Sequence, residues 1–135
     1  SANGVAKGGY ILKEATNGKP ECILIGTGSE IPLCLDAAQT LESHDIQTRV
    51  VSLPCWELFD EQDSDYREHV LPSKVSARVA CEAASGFGWE KWLGNTGKFI
   101  GMNGFGASGP AKQLFQHFGI TTEAIVTAAR DLTGK

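Results

Sequence analysis

The segment from Pro20 to Leu41, PECILIGTGSEIPLCLDAAQTL, constrains the fold of this chain more than any other. Cys22, Ile23, Leu24 and Ile25 form an unbroken apolar run, the pattern of a strand covered on both faces of a parallel sheet. Gly26-Thr27-Gly28-Ser29 makes a turn. Ile31, Cys34, Leu35, Ala38 and Leu41 then share one helical stripe, which predicts a helix from about Glu30 to Ser43. Ser29 is the expected N-cap, and Glu30 puts negative charge where the helix dipole favours it. Pro32 is tolerated because the first N–H groups of a helix have no intrahelical partner. Gly28, where strand gives way abruptly to helix, is expected to need a positive φ or a close backbone approach. A valine there should cost on the order of 1–3 kcal/mol.

The same alternation continues along the chain. Tyr10-Ile11-Leu12 reads as a first strand, and Asn17-Gly18-Lys19-Pro20 as a turn that can join it to Cys22–Ile25 as an antiparallel hairpin with a longer loop. Gln47 to Leu53 is the third expected strand, stopped by Pro54. Asp63 or Ser64 caps a short helix ending near His69, with Pro72 beyond it. Ala77 to Glu82 is the fourth strand. A second glycine turn, Ser85 to Trp89, leads into a short helix carrying Trp89 and Trp92. Lys98 to Met102 is the fifth strand. A third glycine turn, Phe105 to Pro110, opens a helix lined by Ala111, Leu114, Phe115 and Phe118, with Gly119 as its stop. Thr121 or Thr122 begins the last helix, with Ile125, Ala128, Ala129 and Leu132 facing inward. The order implies an α/β fold of three layers, α/β/α. Its five-stranded sheet is mostly parallel, with one antiparallel edge strand and helices on both faces. Residues 1–135 are read as one domain with its core at about 8–132.

Composition removes several function classes. A net charge of −4 with no basic cluster argues against a nucleic-acid partner. No apolar run reaches membrane-spanning length, so no membrane partner is expected. The four cysteines, Cys22, Cys34, Cys55 and Cys81, form no C-x-x-C pair and have no histidine at ligand spacing, which argues against zinc. They read as free thiols in a reducing, cytoplasmic setting.

The chemistry-bearing residues converge on no reaction. Gly26-x-Gly28 lacks the third glycine of a dinucleotide fingerprint, since Ile31 stands there, and the next strand ends without an acidic residue for a ribose. No Gly-Lys-Ser/Thr follows, which excludes a Walker loop. The turn Gly26, Thr27, Gly28 and Ser29 still offers a helix N-terminus of the kind that holds phosphate. The better reading is a tight turn common to doubly wound folds. Glu82 lies at the expected C-terminal end of a strand, the rim where open α/β sheets place ligands. It lacks a visible nucleophile or base partner, so a hydrogen-bonding role is favoured. Ser29, Ser85 and Ser108 sit in glycine turns without Gly-x-Ser-x-Gly, and read as caps. His44, His69 and His117 fall near helix C-termini, where the dipole favours their protonated form. The acidic run Asp60 to Asp65 lacks the glycine and terminal glutamate of a calcium loop. Trp89 and Trp92, three residues apart, read as either core or docking face. No catalytic and no metal-binding residue is assigned.

Five motifs recur in family order and spacing between about Gly8 and Leu132: GGYILKEA, ILIGTGSE, RVVSLPCWELFDEQDSDYRE with its HVLP tail, ARVACEAASGFGW, and FGASGPAKQLFQHFG. On these the chain resembles the C-terminal domain of transketolase. The resemblance implies a cytoplasmic homodimer of the pentose phosphate pathway that moves a two-carbon ketol unit between sugar phosphates. It implies thiamine diphosphate and a divalent metal, magnesium or calcium, held by preceding domains of the two subunits. None of the family's cofactor or substrate motifs occurs here, so the chain is read as part of a longer protein, silent in catalysis alone and supporting dimer architecture. The alternative is a regulatory anion- or nucleotide-binding module built on Gly26, Thr27, Gly28, Ser29 and Glu82. Cys55 and Cys81 depart from the small and aliphatic residues expected at their positions.

Overall fold

The computed structural model describes residues 6–82, 89–94, 96–101 and 120–135. Their elements run β1 (Tyr10–Lys13), β2 (Cys22–Gly26), α1 (Ile31–Ser43), β3 (Thr48–Ser52), α2 (Trp56–Asp60), α3 (Ser64–Val70), β4 (Arg78–Glu82), α4 (Glu90–Leu93), β5 (Lys98–Gly101) and α5 (Thr122–Thr133). The sheet order is β1-β3-β2-β4-β5. All pairings are parallel except that of β1 with β3.

Strand alternation divides the core in two. Cys22, Leu24, Val50, Val79 and Cys81 point to one face, under Cys34, Ala37, Ala38 and Leu41 of α1 and Ile125, Ala128 and Ala129 of α5. Ile23, Ile25, Val51 and Ala80 point to the other, under Phe59 of α2, Val70 of α3, and Trp89, Trp92 and Leu93 at α4. This is the expected three-layer arrangement, with β2 and β3 buried at every position. All four cysteines are free, three of them buried. Burial pushes the Cys22 and Cys81 thiols up to about 12, which leaves them inert as nucleophiles.

The expected β1–β2 hairpin does not form. The apolar run of β2 needs neighbours on both sides, and β3 and β4 supply them. β1, whose Leu12 and Lys13 are exposed, takes the sheet edge beside β3. The loop between β1 and β2 is held away from a tight turn by bonds to the β3 side. Asn17 N–H donates to the Gln47 side chain at 2.8 Å, and Glu21 N–H to the Gln47 carbonyl at 2.8 Å.

Of the two residues proposed to cap α3, Asp63 does so, accepting from Tyr66 N–H at 2.8 Å. Of the two proposed for the last helix, Thr121 caps α5, accepting from Ala124 N–H at 3.0 Å. His44 is the residue just past α1, and His69 lies in the last turn of α3. The expected turns at 85–88 and 105–110, the helix lined by Ala111 to Phe118, and His117 lie outside the described residues.

Candidate functional site

Gly26 and Cys81 are register partners at the C-terminal ends of β2 and β4, so Thr27 and Glu82 emerge side by side on the sheet rim. The structure therefore brings the sequence-derived candidates together. Thr27 Oγ1 lies 3.2 Å from Glu82 Oε1 and 2.8 Å from Glu30 Oε1. One hydroxyl proton serves both carboxylates. The second oxygen of Glu82 accepts from the Trp89 indole N–H at 2.8 Å, which ties the end of β4 to the start of α4.

Glu30 decides what the turn can bind. Its side chain folds back, and Oε1 accepts from the backbone N–H groups of Thr27 at 2.5 Å and Gly28 at 2.9 Å. Ser29 Oγ meets Oε2 at 3.3 Å. The residue is only 2% exposed. The donors that would cradle a phosphate at a strand–turn–helix junction are thus taken by a carboxylate of the chain itself. The spacing Thr27-x-x-Glu30 is that of a capping box, and the glutamate half of that motif is what forms. The Thr27-x-x-Glu30 spacing carries this signal in the sequence, and it is distinct from the placement of a charge near the helix dipole.

Two expectations fail here. Ser29 is not the N-cap. α1 begins at Ile31, Glu30 occupies the cap position, and no side chain caps the helix. Counted from Ser29, the third helical position is Pro32, which has no N–H to receive a cap. Gly28 is not the restricted glycine either. It is absent from the positive-φ residues, and a Cβ added there meets nothing within 4 Å. The close approach falls at Gly26, whose Cβ would lie 2.9 Å from Ile31 Cδ1 and 3.5 Å from Cys34 Sγ, under the first turn of α1.

Trp89 and Trp92 belong to the core. Both are buried, and Trp56 packs edge-on against Trp89 at 4.8 Å between ring centroids. Phe59 does the same against Trp92 at 5.5 Å. Among the described residues, nothing about the rim pairs a nucleophile with a base. Among the described residues, no three His, Cys, Asp or Glu side chains converge on a point that would hold a metal.

The sequence does not announce Arg49, which is buried, or Arg78, which is half-buried, as organisers of the fold. Arg49, 4% exposed in β3, makes a two-pronged pair with Glu14, at 2.9 and 2.7 Å, and donates to the carbonyls of His69 and Val70. It is occupied at the opposite end of its strand from the glycine turn.

The family described as Transketolase-like TK C-terminal domain matches residues 8–121. The chain belongs to the transketolase C-terminal domain family. A chloroplastic transketolase of Solanum tuberosum is 53% identical over 134 residues, covering 98% of this chain and 18% of that protein. Among solved structures, the transketolase from Leishmania mexicana superposes with a TM-score of 0.89 at 42% identity, over 99% of this chain and 19% of its own length. A Pichia stipitis transketolase in complex with sedoheptulose 7-phosphate gives 0.86 at 37%, again over 99% and 19%. The chain therefore spans under a fifth of the length of these transketolases.

Proposed function

We propose that this chain is the architectural C-terminal part of an enzyme that transfers a two-carbon ketol unit between sugar phosphates. The enzyme would use thiamine diphosphate and a divalent metal, magnesium or calcium, and work as a homodimer. Transketolase relatives support that activity, one of them solved with a sugar phosphate bound. The observation that carries the division of labour is the closed turn. The strand–turn–helix cradle at Gly26–Ser29 is filled by Glu30. The donor set of that turn does not fit the cofactor, and this supports assigning the cofactor to other parts of a longer protein.

On this reading Gly26, Thr27, Gly28, Ser29 and Glu82 hold the rim together and bind no ligand. Residues 1–135 act as one unit. The free cysteines fit a reducing compartment such as the cytoplasm, and no described helix is long and apolar enough to cross a membrane. The test is a coupled assay for ketol transfer with the purified chain, thiamine diphosphate, magnesium and a ketose phosphate. No turnover is expected. Turnover proportional to the chain, after contaminating enzyme is removed, overturns the reading.

A further inference from the structure

Lys7, Gly8 and Gly9 lie against α2 and α3 before the sheet begins at Tyr10. Each is held there by a different contact. The Lys7 ammonium lies 4.3 Å from the Tyr66 ring centroid. The Gly8 carbonyl accepts from Cys55 N–H at 3.0 Å, and the Gly9 carbonyl accepts from the Tyr66 hydroxyl at 2.7 Å. Both glycines are buried. Gly8 has φ +81°, and a Cβ there would collide with the backbone of Cys55 and Phe59. A Cβ on Gly9 would lie 2.9 Å from Phe59 Cδ1. Tyr66 is itself fixed. Its N–H donates to the Asp63 side chain at 2.8 Å, and its ring packs edge-on against Phe59 at 6.1 Å between centroids. Burial pushes the phenol above its usual value, so the hydroxyl stays a donor at neutral pH.

Ordering a backbone costs conformational entropy, and a segment leading into a first strand stays loose unless it is tied down. Pairing β1 with β3 does not require these ties, because that register starts at Tyr10. The chain matches a C-terminal domain and spans under a fifth of its transketolase relatives. On the reading that it is the C-terminal part of a longer enzyme, on which this inference rests, the remainder joins it ahead of Lys7. We propose that Lys7–Gly9 is a fixed strap that sets the direction in which the preceding part joins this domain, and that Tyr66 is its positioning residue. A flexible linker at this point would leave the domain free to take many orientations. The strap selects one.

The first test is limited trypsin digestion of this chain, following the bond after Lys7. That bond is expected to be protected, because a held strap does not extend into a protease site. Tyr66→Phe keeps the ring beneath Lys7 and removes the bond to Gly9. It should speed cleavage after Lys7 by about fivefold, the factor that one lost hydrogen bond is worth, and leave cleavage after Lys74 and Arg130 unchanged. Rapid cleavage after Lys7 in the parent, no change in the variant, or an equal rise at every site overturns the strap. The second test uses the longer protein, with one spin label at Asp36, exposed on α1, and another in the preceding part. The distance between them is expected to be narrowly distributed and to broaden with Tyr66→Phe. A broad distribution in the parent, or one that the variant leaves unchanged, overturns the role of the strap in orientation. The digestion needs only this chain and no ketol transfer, so a failed strap and a failed functional reading are told apart.

Discussion

A carboxylate as deeply buried as Glu30 is stable only where donors meet it, and here two backbone N–H groups and a hydroxyl do so. Glu30→Ala leaves those donors without their acceptor and should destabilise the fold by about 1–3 kcal/mol. Glu30→Gln keeps one acceptor oxygen and should cost less. Urea midpoints measured at unchanged m-value read both, and an alanine variant as stable as the parent would contradict the role given to Glu30. Glycines sort by what their backbone meets. Gly8 has φ +81°, and a Cβ there would lie 2.3 Å from the Cys55 carbonyl and 2.4 Å from Phe59 N. Gly8→Ala should therefore cost on the order of 1–3 kcal/mol. Gly28→Ala should be neutral to within about 0.5 kcal/mol. The reverse ranking in thermal melts would show the turn to be built differently.

Elements were legible where one local pattern settles them. β2 and α1 follow from an apolar run, a glycine turn and a helical stripe, and α3 and α5 from caps that their sequences announce. The partner of β1 was not legible, because pairing is fixed by which strand needs two neighbours, and no local signal carries that. Arg49 and Arg78 were missed for the same reason. A charged residue in a strand reads as exposed until carbonyls from distant elements are seen to surround it. Of the rim, its members were found and its closure was not, because Glu30 belongs to turn and helix at once and Trp89 reaches Glu82 only in three dimensions. The Arg49–Glu14 pair makes β3, the β1–β2 loop and the end of α3 depend on one another, and this shows in pH. Burial pushes the Glu14 carboxyl up, but hydrogen bonds from Arg49 and Ala15 outweigh it, and the net lies below the usual value of 4.5. Glu42 is held down against its own burial by bonds from Thr48 and Thr16. Acids depressed in the folded state stabilise it above their unfolded pKa, and that stability is lost as pH falls through the folded value. Stability should be flat near neutrality and fall on acidification below about 4.5. Arg49→Met should destabilise by on the order of 3 kcal/mol and shallow this acid slope. An unchanged slope in urea midpoints against pH would remove the pair from the account.

At the scale of the whole molecule, both faces of the sheet are spent on core, one under α1 and α5 and the other under α2, α3 and α4. The rim that doubly wound folds commonly give to a ligand is spent on holding β2, β4 and α4 together. Under the proposed function, this arrangement supplies shape, and the chemistry is assigned to the four-fifths of the relatives' length that this chain does not span. The central claim is that Glu30 closes the rim against anions. Its most direct test is a titration of the labelled chain with ATP, NAD and sugar phosphates, following the amide resonances of Gly26, Thr27, Gly28 and Ser29. The account predicts no saturable movement of these amides below millimolar ligand. Saturable micromolar binding centred on the four residues would contradict it.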